Sequence, residues 1–81
     1  MRIPRDIDSN NLTHILARYG YEVTRQTGSH IRLTSTFCGE EHHVTVPAHN
    51  PLRVGTLSSI LGDVANYLSV SKDEIIRELF S

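Results

Sequence analysis

The run RQTGSHIRL, Arg25 to Leu33, sets Gly28, Ser29 and His30 together between two arginines. A histidine ordinarily titrates near neutral pH, at about 6.5, and so can act as a general base or acid. Arginine presents forked donors that match a phosphate. His30 with Arg25 and Arg32 therefore supplies the parts of a metal-free RNA-cleavage site. In such a site a base draws off the 2′-hydroxyl proton and cations stabilise the phosphorane. Gly28 gives the preceding turn its backbone freedom, and Ser29 can hydrogen-bond local backbone. A plainer reading stays open, in which His30 is a polar strand-edge residue beside a turn.

Other chemistries find less support. Five histidines raise the question of zinc. His42 and His43 are neighbours on a strand and so face opposite ways, His14 falls on a helix, and His49 follows a proline and an alanine. No pair has the spacing of a known site, and the single cysteine, Cys38, sits alone in the turn FCGEE, where it reads as an incidental turn residue. No serine occupies a nucleophile elbow, so a Ser-His-Asp triad is not indicated. No metal site is expected from these residues.

The elements that must position His30 have to come from 81 residues, enough for one domain, 1–81, with one core. At 38% hydrophobic and 21% charged the composition is that of a soluble globular chain, and no apolar run approaches the ~20 residues of a membrane helix. The start, MRIPRDIDSNN, lacks the apolar region of a secretory signal, which points to the cytoplasm. Net charge is −1, so a strongly basic nucleic-acid binder is excluded. The distribution is more informative: Val23 to Gly39 holds Arg25 and Arg32 and no acid, which allows a locally positive face.

Leu12, Ile15, Leu16 and Tyr19 form one helical stripe that Asp8 or Ser9 can cap and Gly20 can end. YEVTRQ alternates Tyr21 and Val23 against Glu22 and Thr24, as a half-buried strand does, and TGS supplies the turn. In HIRLT, Ile31 and Leu33 face inward while His30, Arg32 and Thr34 face out. HHVTVP turns Val44 and Val46 inward, His43 and Thr45 outward, and stops at Pro47. Glu40 and Glu41 read as a solvated hairpin tip. Leu57, Ile60, Leu61, Val64, Ala65 and Leu68 predict a helix after Gly55 with Thr56 as its cap, and Ser71 with Glu74 predicts a capping box on a last short helix. The expectation is an α+β two-layer sandwich in the order α-β-β-β-α with an extra C-terminal helix. Its open sheet face would carry His30, Arg32, His43 and Thr45.

Three blocks, GYEVTRQTGSHIRL, VTVPAH and GTLSSIL, in this order and spacing, resemble the HicA family of bacterial toxins, small mRNA-cleaving proteins of type II toxin–antitoxin systems. The resemblance runs from about Leu12 to Leu61. It implies a double-stranded-RNA-binding-domain-like fold, endoribonuclease activity on mRNA with no metal or organic cofactor, and neutralisation by a HicB-type antitoxin that covers the active face. Any contact with operator DNA would run through the antitoxin. By position the family's catalytic histidine is His30, framed by Gly28 and Ser29. Arg25, Arg32, His43 and His49 are the remaining candidates for RNA contact, with His49 alternatively capping a turn. The segment SKDEIIRELF continues past the resemblance and either extends the core or meets a partner. Two other functions compete: a non-catalytic RNA-binding module on the same face, and a protein-interaction domain docking through its helices.

Overall fold

Each apolar set in this chain finds its partner in one core. The computed structural model describes residues 6–48 and 51–80, so His49 lies outside the described residues. Helix α1 runs Ser9–Leu16 and closes with a 3-10 turn, Ala17–Tyr19, before Gly20 turns the chain at φ 79°. Asp8 is the cap: its carboxylate accepts from the Asn11 N–H at 2.7 Å, and the Asn11 side chain accepts from the Asp8 N–H at 3.3 Å. The strands β1 (Glu22–Thr27), β2 (His30–Ser35) and β3 (His42–Pro47) pair antiparallel in chain order as a meander. Helices α2 (Val54–Leu68) and α3 (Lys72–Phe80) complete the order, with α2 lying over β3 and α3 packed on α2. The architecture is the expected α+β one.

Ile31, Leu33, Val44 and Val46 project from one sheet face into a cluster with Leu12, Leu16, Tyr21, Leu57, Leu61 and Val64. Burial of that many aliphatic groups, each contributing on the order of 1.5–3 kcal/mol, holds the helices to one face and leaves the other in water.

Two local expectations are corrected. Val23 stands opposite buried Leu33 but is 47% exposed, because α2 lies over β3 and leaves β1, at the other edge of the sheet, with every residue exposed. The buried member of that expected pair is Tyr21, which lies just outside the strand. Helix α2 begins two residues before Thr56, with Arg53 at its cap and no side-chain capping bond. Buried Leu52 anchors the chain there, and the Leu57 N–H already reaches the Arg53 carbonyl at 2.9 Å. At α3 the Ser71 hydroxyl accepts from the Glu74 N–H at 3.1 Å, as the capping sequence predicts.

Candidate active site on the open sheet face

The β1–β2 connection is two residues long, Gly28 and Ser29, since Thr27 pairs directly with His30. Gly28 adopts φ 50°, which a side chain disfavours. The Ser29 carbonyl accepts from the Ala48 N–H at 2.7 Å, tying the turn to the end of β3 beside Pro47, the residue opposite His30. The Ser29 hydroxyl lies 3.4 Å from His30 Nδ1, so the same turn that starts the strand orients the ring. His30 is exposed.

Arginine reaches this face by a break in the strand pattern. Plain alternation from Tyr21 and Val23 would send Arg25 inward. The pairing shifts between Val23, opposite Leu33, and Arg25, opposite Arg32, leaving Thr24 as the extra residue of a β-bulge. Arg25 consequently emerges on the outer face directly across from Arg32. Arg25, Thr27, His30, Arg32 and Thr45 line one open depression of about 210 Å³. No carboxylate of the described residues lines it. Among the described residues neither guanidinium has a hydrogen-bonding or ion-pair partner.

His43 lies one step along the same face, in an adjoining depression with Thr24, Arg25, Arg32, Thr34 and Glu41. Its ring is engaged at both nitrogens: Nε2 is 2.8 Å from the Glu41 carboxylate and Nδ1 is 2.7 Å from the Thr34 hydroxyl. Thr34 continues to the Thr24 hydroxyl at 2.8 Å, and Thr24 donates to the Arg32 carbonyl at 3.5 Å. When Nδ1 carries a proton, donation runs in one direction from His43 through two threonines to the strand backbone. Glu41, read from sequence as a solvated tip, is thus the partner of His43 Nε2. The structure brings Arg25, His30 and Arg32 together, holds Gly28 and Ser29 behind them, and sets His43 beside them.

A family model described as the HicA toxin of bacterial toxin–antitoxin systems matches residues 9–65. The chain belongs to the HicA toxin family. No curated protein and no solved structure matches it. The HicA match ends inside α2, so α3 stands outside it, whereas every residue of the His30 depression lies within.

His42, which follows a different course from His43, is a residue that sequence reasoning left without a role. Its ring stacks on Tyr67 with centroids 4.6 Å apart, and its Nδ1 is 2.7 Å from the Tyr21 hydroxyl. The Tyr67 hydroxyl accepts from the Cys38 N–H at 3.0 Å and donates to the Glu40 carbonyl. This cluster fastens the β2–β3 loop to α2 and is structural. Nothing in the sequence pattern joins Tyr21, His42 and Tyr67, which come from three separate segments of the chain. Among the described residues no group of three His, Cys, Asp or Glu side chains is placed to hold a metal ion. No helix among them is long and apolar enough to cross a membrane.

Proposed function

We propose that this HicA toxin is a metal-independent endoribonuclease that cleaves mRNA and is neutralised by a HicB-type antitoxin covering the His30 face. The observation that carries the reading is the convergence of one exposed imidazole and two unpaired guanidiniums in a depression without a carboxylate. An anion is favoured there over a cation, and a phosphodiester is an anion that gains from a base beside it.

In the proposed reaction His30 removes the proton from a ribose 2′-hydroxyl, and the 2′-oxygen attacks the adjacent phosphorus. Arg25 and Arg32 hold the non-bridging oxygens and stabilise the added negative charge of the phosphorane. The bond to the 5′-oxygen then breaks, leaving a 2′,3′-cyclic phosphate on one fragment and, after protonation by water, a 5′-hydroxyl on the other. His43 is poorly placed to donate that proton, because both of its nitrogens are already bonded. Its proposed part is to contact the RNA next to the scissile phosphate. Gly28 and Ser29 set the position of His30 against that phosphate.

The test is inducible expression of the wild type beside His30→Ala, following growth and the integrity of total mRNA. His30 is exposed, so the variant is expected to keep its circular dichroism spectrum and melting temperature. Growth arrest and mRNA loss with the wild type alone support the reading. Equal toxicity of the two, or RNA that is bound and left intact by the wild type, overturns it in favour of a binding module.

A further inference from the structure

A second surface feature lies at the other end of the sheet. His30 begins β2, whereas Phe37 lies just beyond its last residue, and a six-residue strand spans roughly 17 Å. Phe37 is 61% exposed, yet its ring is held edge-to-face against Tyr19, with centroids 6.1 Å apart at 85°. Facing it are Val70, 37% exposed, and the side chains of Leu68 and Ile75. Together they form an apolar groove of about 250 Å³ whose other wall is α3. This wall is outside the family match at 9–65.

Among the described residues the groove is lined by two carboxylates, Glu74 and Glu78, and by no lysine or arginine. One turn apart on the same helix face, the two carboxylates repel each other. Glu78 also lies in the last turn of α3, where the helix dipole disfavours an anion. Arg18 bonds the Glu78 carbonyl at 2.9 Å, satisfying the backbone at that end of the helix. Arg18 also sets a cation against the dipole at that end. The repulsion between the two carboxylates is what remains on the rim beside the exposed aromatic ring, and a cationic occupant would relieve it.

We infer that this groove docks a cationic amphipathic helix of the antitoxin, with an apolar side chain between Phe37 and Val70 and lysine or arginine against Glu74 and Glu78. The source of the helix rests on the toxin reading above; the chemistry of the groove does not. A second copy of the chain fits less well, because groove against groove would oppose glutamate with glutamate. Anchoring here leaves the His30 depression open, so the same antitoxin can hold the toxin by one surface and block it by another. The effective concentration of the blocking segment then rises without any added contact at the active face.

The experiment titrates purified full-length antitoxin into the full chain carrying His30→Ala, which is expected to be harmless to the cells producing it. Parallel titrations use the same chain with Phe37→Ala, or with Glu74→Lys and Glu78→Lys together. Each groove variant is expected to bind at least 10-fold more weakly, and the charge-reversed chain to lose most of the salt dependence of binding. Circular dichroism melts establish that each variant is folded. With His30 left in place, the groove variants are expected to keep full ribonuclease activity. Unchanged affinity in both groove variants overturns the docking site, as does an antitoxin that fails to bind the parent. A concentration-dependent dimer abolished by the charge reversal assigns the groove to a second copy and equally overturns it. Growth arrest by the wild type is scored separately: arrest without groove-dependent binding removes only the groove, and groove-dependent binding without arrest removes only the ribonuclease.

Discussion

Arg25 on β1 and Arg32 on β2 stand directly opposite one another on the open face of the sheet, with Thr45 of β3 completing the row. Like charges so placed oppose folding, and no acid in the His30 depression relieves them. The bulge at Thr24 is what creates the pairing; without it Arg25 would face the core side. The positive field is therefore built into the strand register of a protein whose net charge is −1. A phosphate between the two guanidiniums would convert the repulsion into two attractions.

Replacing Arg32 by glutamine should then separate stability from activity. Relief of the cross-strand repulsion is expected to raise stability by about 0.2–1 kcal/mol at low salt, fading as salt screens it. RNA cleavage should fall at least 10-fold. The slope of log affinity for single-stranded RNA against log salt should drop by roughly 0.7–1, the share of one phosphate contact. Thermal melts and filter binding across a salt series measure both, and an unchanged slope would remove Arg32 from the phosphate site.

Gly20, before this hairpin, and Gly28, in its turn, should respond differently to alanine. A Cβ at Gly28 meets nothing within 4 Å, so Gly28→Ala pays only for its left-handed backbone, about 1 kcal/mol. A Cβ at Gly20 lies 3.2 Å from the Ser35 hydroxyl and 3.4 Å from Phe37. That hydroxyl is buried, donates to the Tyr19 carbonyl at 2.7 Å and accepts from the Phe37 N–H at 3.1 Å. Gly20→Ala is expected to cost more, about 2–3 kcal/mol, by adding this displacement to the backbone term. Cleavage at a temperature where both variants are folded should show the reverse order, with Gly28→Ala the slower because its turn orients His30. Urea melts and initial rates decide the comparison.

Much of this was legible in the residues, for identifiable reasons. Ile31 and Leu33, with Val44 and Val46, alternate without interruption and are buried as read. Leu12 and Leu16 repeat at helical spacing and end at a glycine, which fixes both the face and the stop of α1. The edge strand was harder, because a bulge inserts one residue and inverts the facing of everything after it. Val23 and Arg25 share a parity in the sequence and lie on opposite faces in the fold. The histidines divide along the same line. The exposed place of His30 at the start of β2 was legible from its local block, whereas the engagement of His43 with Glu41 and of His42 with Tyr21 and Tyr67 depends on contacts between separate segments.

The buried end of that last contact predicts how the fold fails in alkali. Burial first, and then the neighbouring Tyr67, raise the Tyr21 phenol well above its ordinary value near 10. In the unfolded chain Tyr21 loses its proton near pH 10, while the folded chain retains it. Between the ordinary and the raised value the unfolded state binds fewer protons, so stability falls as pH rises through that window and is fully present below it. Tyr21→Phe should remove this contribution. It also removes the bond to His42 Nδ1, so the variant is expected to be less stable by about 1 kcal/mol at neutral pH. Its melting temperature should decline less steeply than the wild type's above pH 10. Urea midpoints from pH 7 to 11 test this, and parallel curves for the two proteins would show that the Tyr21 proton is not what the folded state protects.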